Sequence, residues 1–425
     1  MERKIGDTMG KDNFFKLIKQ EIARIDEIQT DKRHEKVISG FHGTKALIHG
    51  KEFLIFNSND YLGLRHNQKI KHAEEEASKK YGAGPGAVRF ISGTMQVHKD
   101  LENALAKFHG REDAMIFSSA FAANMAVLHC IIKGQSRDSV VHGDTLVISD
   151  ELNHRSIIDG IRVAGLDKDH KLIFKHMDMD DLDKVLSENK GKFKRVLVVT
   201  DGIFSMLGEY QDIGKMQEIC DKYDEDFEEG IITAVDDSHG VGAFGKSGRG
   251  CEEASDGKCD LLIGTMGKGF GTDGGYVVGS KLMIDYMRES CATYIYSNPF
   301  SPGTAGASLA AVNLVNTIEG LTLLKKLNDN ISYFKEKALE AGFKFACESV
   351  HPIQPLLIGD TAKTKALTKA LFEAGILVTN INFPVVPKGR DEIRVQINAS
   401  HSERDLDEFL AKLIKAGKEL GIIPN

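Results

Sequence analysis

The chain has 425 residues, more than one ordinary hydrophobic core accommodates, so about two or three structural units are expected. Hydrophobic residues make up 41% and charged residues 28%, the balance of a soluble globular protein, and the formal net charge of −7 leaves no electrostatic footprint for nucleic acid or an anionic membrane surface. The six cysteines lie scattered with no Cys-x-x-Cys pair, the opening Met1-Glu2-Arg3-Lys4-Ile5-Gly6-Asp7 mixes acids with bases, and no apolar run is long enough to span a bilayer; a cytoplasmic protein with reduced thiols is expected.

Phe14, Ile18, Ile22 and Ile25 fall on one face of an opening amphipathic helix, with Asp12 as its cap, and a hairpin turns at His49-Gly50-Lys51. Between about residues 67 and 300, strand-like apolar runs interleave with helical patterns. The runs are Met115 to Phe117, Thr145 to Ile148, Leu172 to Phe174, Val196 to Val199, Ile231 to Val235, Leu261 to Thr265 and Tyr276 to Val278. That rhythm predicts an α/β fold: a mainly parallel central sheet with helices on both faces. After Ser301 come an Ala/Gly-rich run, long charged helices and short strands around Ile353 to Ile358 and Ile393 to Ile397, read as a smaller C-terminal α/β domain. The expected division is 1–57 for the N-terminal helix and hairpin, 58–300 for the major domain and 301–425 for the small domain.

Distinctive polar residues follow these strands in order. Ser118 and Ser119 come after the first, His154 after the second, Asp201 and Ser205 after the fourth, Asp236 and His239 after the fifth, and Lys268 after the sixth. All are placed at the carboxyl edge of one sheet, where open α/β sheets bind ligands. Taken singly, Asp236 reads as a strand-end cap, His239 as a satisfied loop histidine, and Ser119 and His154 as helix caps. A cap and a phosphate cradle share the same physics, since free backbone N–H groups attract anions. Lys268, in Thr265-Met266-Gly267-Lys268-Gly269-Phe270-Gly271, has small neighbours that let a bulky aromatic ring reach its amine. Asp236, ending an apolar strand, suits a protonated pyridine nitrogen. Together they read as a Schiff-base lysine and its pyridoxal-phosphate anchor.

Competing motifs fail. Gly240-Val241-Gly242-Ala243-Phe244-Gly245 fits a dinucleotide fingerprint but continues into turns. A Walker loop ending at Lys268 needs glycine where Leu262 stands and Ser or Thr where Gly269 stands. The acids from Asp178 to Asp183 lack the glycine and glutamate of a calcium loop and read as a helix start.

Asn57-Ser58-Asn59-Asp60-Tyr61-Leu62-Gly63, Val88-Arg89-Phe90-Ile91-Ser92-Gly93-Thr94, Leu152-Asn153-His154 and Asp201-Gly202-Ile203-Phe204-Ser205-Met206, with the Asp236 and Lys268 motifs, resemble the α-oxoamine synthases, pyridoxal-phosphate enzymes of fold type I. Within that family, Phe383-Pro384-Val385-Val386-Pro387-Lys388-Gly389 and Ile393-Arg394-Val395-Gln396 look most like the glycine C-acetyltransferases. The resemblance implies that Lys268 forms the Schiff base and moves the substrate Cα proton, that Asp236 pairs with the pyridine nitrogen, that His239 and Ser205 reach the phenolic oxygen and that His154 stacks on the ring. It also implies that Ala120, Phe121 and Thr265 hold the phosphate with Ser297 and Asn298 of a neighbouring subunit, and that Asn59 and Arg394 clamp the amino-acid carboxylate. A homodimer with a shared active site, using glycine and acetyl-CoA to give 2-amino-3-oxobutyrate and CoA, is the expectation. The alternatives are another member of the family, of the 8-amino-7-oxononanoate, 5-aminolevulinate or 3-ketosphinganine type, an aminotransferase, or a non-catalytic homologue.

The sequence departs from the acetyltransferase pattern at several points. The stretch after Lys268, through Tyr276, has the length seen in aminolevulinate and 8-amino-7-oxononanoate synthases; Gly240 replaces an alanine; Pro299-Phe300-Ser301 differs from the expected run; and two loops, Ser136 to His142 and Glu225 to Gly230, are longer.

Overall fold

The computed structural model describes residues 9–28, 31–136, 138–141, 143–383 and 386–424. The chain divides into two compact units, one ending at Phe53 and the other beginning at Leu54. In the first, helix α1 (Met9–Glu27) exposes Phe14, Ile18 and Ile22 along one face. Asp12 lies inside its first turn and is not the cap, because the helix already runs from Met9. Strands Ile38–His42 and Lys45–Ile48 pair antiparallel, and the turn that follows sits at His49-Gly50, both with positive φ (49° and 74°), as a tight primed turn requires.

The second unit is built on a seven-stranded sheet. Its strands are β1 (Asp113–Phe117), β2 (Thr145–Asp150), β3 (Lys171–Phe174), β4 (Arg195–Asp201), β5 (Ile231–Asp236), β6 (Leu261–Thr265) and β7 (Gly275–Gly279). They lie in the order β1-β7-β6-β5-β4-β2-β3, and β7 alone runs antiparallel to its neighbours. All seven runs expected from the sequence are strands. The apolar runs do not alternate with polar residues because both faces are covered: Val196 and Val198 enter one hydrophobic cluster while Leu197 and Val199 enter another on the opposite face. The mainly parallel sheet with helices on both faces is therefore the observed fold.

Downstream, Ser301 caps helix Pro302–Val315, accepting from Thr304 N at 3.1 Å. A four-stranded sheet follows, in the order Lys344–Phe345, Ile353–Leu357, Glu392–Gln396 and Thr379–Ile381. Gln396 N donates to Phe56 O at 2.8 Å and Ala399 N to Tyr61 O at 2.8 Å, which seats the Asn57–Tyr61 segment against this C-terminal sheet. The acids at Asp178 start a helix as expected, Asp178 accepting from Asp181 N at 2.9 Å. The Glu225 to Gly230 loop runs over the surface, anchored by buried Phe227. Arg137 and His142 of the other longer loop, and Pro384 and Val385 of the Phe383 to Gly389 motif, lie outside the described residues, as does the opening stretch to Asp7.

Candidate active site

Ala120, Phe121, His154, Ser205, Asp236, His239, Thr265 and Lys268 line one cleft at the carboxyl edge of the sheet, with about 440 Å³ of empty space. Asn124, Ser156, Asp201, Ile203 and Ser238 complete its wall.

At one end β1 leads into helix α2 (Ala120–Lys133). Ser119 caps it, its hydroxyl accepting from Ala122 N at 3.1 Å. Ala120 and Phe121 occupy the first turn, where backbone N–H groups have no partner within the helix. A Cβ on Gly275, at the start of β7, would stand 2.3 Å from Ala120 N, so glycine is what lets this helix end sit against the sheet.

Asp236 ends β5 beneath the cleft. Its carboxylate accepts from Asn124 Nδ2 at 2.5 Å and from Ser238 N at 3.0 Å. Asn124 also donates to Ser156 Oγ at 2.9 Å, and that hydroxyl lies 2.7 Å from His154 Nδ1. A continuous polar chain thus links the strand-end acid to the histidine across the cleft. His154 is both cap and wall: its ring accepts from Ser156 N at 3.3 Å at the start of helix α3 (Arg155–Val163), and its own N donates to Asp201 Oδ2 at 2.9 Å.

His239 Nδ1 lies 2.7 Å from the Tyr61 hydroxyl, and its carbonyl accepts from His351 Nε2 at 2.9 Å, so ring and backbone are both fixed. Burial, reinforced by the nearby Lys268 charge, pushes the His239 pKa well below the ordinary histidine value and keeps it neutral. Burial also lowers the Lys268 pKa, against the opposing pull of Asp236 and Asp201. Asp201 shows the reverse: burial, then the neighbouring Asp236 charge, drive its pKa well above the usual carboxylate range.

On the C-terminal sheet, Arg394 Nη1 donates to Ser205 O at 2.8 Å and Gln396 Nε2 donates to Asn59 Oδ1 at 2.5 Å. Neither Asn59 nor Arg394 is in the wall of the cleft: Arg394 reaches it through the Ser205 carbonyl, and Asn59 through Tyr61, whose hydroxyl donates to Asn59 Oδ1 at 3.4 Å and lies beside the His239 ring. Ser297 and Asn298 are not in its wall; Ser297 Oγ instead donates to the Asn298 carbonyl at 3.3 Å. At Gly240 a Cβ would stand 2.2 Å from Oδ1 of buried Asp237, so a larger residue there requires that carboxylate to move.

Sequence reasoning missed Asn124, Ser156, Ser238 and the Tyr61 contact, and treated Asp201 only as a strand-end acid. One signal was present: Asn124 is the polar residue one turn into the otherwise apolar Ala120-Phe121-Ala122-Ala123-Asn124-Met125-Ala126-Val127.

The aminotransferase class I and II model matches residues 51–413. The 8-amino-7-oxononanoate synthase of Thermoanaerobacter pseudethanolicus is 39% identical over 91% of this chain and 93% of its own length. Among solved structures, the Sphingomonas wittichii serine palmitoyltransferase superposes with a TM-score of 0.85 at 27% identity, covering 99% of this chain and 100% of that one. A high-resolution structure of SPT with PLP gives the same TM-score and identity, covering 98% of this chain and 100% of that one. The chain belongs to the aminotransferase class I and II family and, within it, to the α-oxoamine synthases, which are pyridoxal-phosphate-dependent acyltransferases.

The cofactor, pyridoxal 5′-phosphate, fits the residues present. The cleft offers a strand-end carboxylate for a cationic ring nitrogen, an open helix N-terminus for a phosphate dianion and a lysine amine between them.

Proposed function

We propose that this chain condenses a small α-amino acid with an acyl thioester in the manner of an 8-amino-7-oxononanoate synthase. The supporting observation is the 39% identity to such an enzyme along nearly its whole length, together with Lys268, Asp236 and His239 in one cleft. That product is a nine-carbon acid with the amino group on C8 beside a C7 ketone. Its methyl-bearing amino carbon is what alanine supplies once its carboxylate leaves, and the other seven carbons are the acyl group.

In this reading Asp236 holds the pyridine nitrogen, the Ala120 and Phe121 amides with the Thr265 hydroxyl hold the phosphate, His239 and Ser205 meet the phenolic oxygen, and His154 covers the ring. Ser297 and Asn298 of a second copy complete the phosphate site, so the working unit is a homodimer. When bound, the cofactor withdraws electrons from the substrate Cα and makes its proton removable. Arg394 and Asn59 hold the carboxylate through charge-assisted hydrogen bonds. Lys268 Nζ, biased toward the neutral amine by burial, takes the Cα proton. The Cα–H bond breaks, a bond from Cα to the acyl carbon forms, the C–S bond breaks and the thiolate leaves, picking up the proton Lys268 removed; when the Cα–CO2 bond then breaks, its electron pair stays on Cα, which takes a second proton from water.

Glycine with acetyl-CoA is the second reading, favoured by Ile393-Arg394-Val395-Gln396 and the Phe383 to Gly389 run. One experiment separates them: incubate the purified protein with glycine, alanine or serine against acetyl-, pimeloyl- and palmitoyl-CoA, and measure thiol release and product mass. Release with alanine and the seven-carbon thioester supports the first reading, and release only with glycine and acetyl-CoA replaces it with the second. A keto acid without thiol release points to transamination, and no thiol release with any pair sinks the acyltransferase proposal.

A further inference from the structure

The turn after β3, at the far edge of the sheet, carries Lys175-His176-Met177. His176 Nδ1 lies 3.0 Å from Asp150 Oδ1 and its Nε2 lies 3.2 Å from Glu209 Oε2, while its ring stands edge-on to Phe204 with centroids 4.3 Å apart. Both ring nitrogens face carboxylates, and only the protonated imidazole donates from both.

Each carboxylate belongs to a turn that builds the cleft. Asp150 ends β2, and its side chain also accepts from Leu152 N at 2.8 Å and Met177 N at 2.9 Å, shaping the turn that presents His154. Glu209 closes the turn that presents Ser205, its carbonyl accepting from Phe204 N at 2.9 Å. We infer that His176, as imidazolium, is a positioning residue that ties the His154 turn to the Ser205 turn and so sets the affinity of the cleft for its cofactor. The inference rests on the reading of His154 and Ser205 as cofactor contacts.

The charge has a pH limit. Burial alone would lower the His176 pKa, but the hydrogen bonds and charges of Asp150 and Glu209 overcome it and hold the value at about 9. The other titratable groups near this pair are Asp201 beside Asp150, and Cys347 and Glu392 beside Glu209. A histidine raised above its usual 6.5 contributes fully below that value and loses its contribution as pH rises through about 9.

The test is binding of pyridoxamine 5′-phosphate to the full-length protein freed of cofactor. This ligand cannot form an imine with Lys268, and its fluorescence is read without tryptophan background because the chain contains none. Wild-type affinity is expected to fall about tenfold between about pH 7.5 and about pH 9.5. H176Q is expected to bind about tenfold more weakly at the lower pH and to show a correspondingly smaller alkaline loss. E209Q, which leaves only Asp150, is expected to move the alkaline midpoint to lower pH, and it carries the test if H176Q fails to fold. Equal affinity for H176Q and wild type, or an unmoved midpoint in E209Q, overturns the inference and leaves the acyltransferase reading standing. Failure of wild type to bind at any pH removes the cofactor contacts on which it rests, and the inference with them.

Discussion

The cofactor cleft and the polar face of the C-terminal sheet differ in how fully their buried polar groups are satisfied. In the cleft, Asp236 is held by two donors, His154 is tied to Ser156 and Asp201, and His239 is pinned through ring and carbonyl. Along Glu392–Gln396, alternate residues Glu392, Arg394 and Gln396 share one face of the strand, and each keeps buried atoms with no hydrogen-bond partner among the described residues: both Glu392 oxygens, Arg394 Nε and Gln396 Oε1. A buried polar atom left unpaired costs about 1–3 kcal/mol, a cost that a hydrogen-bonding partner at this face would relieve. The central acid and histidines of the cleft are preorganised, although Ser238 Oγ in its wall has no partner among the described residues, whereas the strand leaves a polar atom unsatisfied at each alternate position.

The comparison is broken most severely at the cleft. Lys268→Ala is expected to lower the thiol-release rate by about 10⁴-fold or more and to abolish the Schiff-base absorbance; retention of either removes the lysine from its role. Arg394→Ala acts on the other region and is expected to raise KM for the amino acid about 100-fold, with a much smaller loss of cofactor affinity through its bond to the Ser205 carbonyl. An equal loss of cofactor binding in that variant would show that the two regions are not separable. Asn124→Ala removes one of the two donors to Asp236 and is expected to weaken cofactor binding about tenfold, measured by titration of the apo protein.

The smallest effect concerns Glu392. Burial, opposed by Arg390 and Arg394, raises its carboxyl to about 7. A raised carboxyl stabilises the folded state at low pH and loses that contribution as pH climbs through about 7, so above this value the wild type carries the cost of a buried charge. Glu392→Gln is therefore expected to raise Tm by about 2 °C at about pH 8 and to change it little at about pH 4.5. The same shift at both pH values would contradict the assigned cost.

Much of the cleft was legible because its residues sit at the ends of apolar strands, and strand ends are readable from composition. Lys268, Asp236, His239, His154 and Ser205 each follow such a run. Asn124 and Ser156 were harder to see, because their partners lie 112 and 32 residues away from Asn124 and only the folded sheet brings them together. Asp12 was misread as a cap because the sequence signal for a helix start is local, and a helix that continues past it overrides that signal. The hairpin turn at His49-Gly50 was read correctly because its geometry depends on residues within the turn itself.

The sequence by itself determined the alternation of strands and helices, the edge of the sheet where polar residues gather, and the lysine, acid and histidine that line one cleft, since these depend on local pattern and short spacing. Only the tertiary structure decided that Tyr61 braces His239, that Asn124 links Asp236 through Ser156 to His154, that the Asp237 carboxylate crowds position 240, and that His176 joins two turns of the cleft. Such bonds join residues far apart in the chain, and their partners are chosen by packing and burial, which exist only once the sheet has closed.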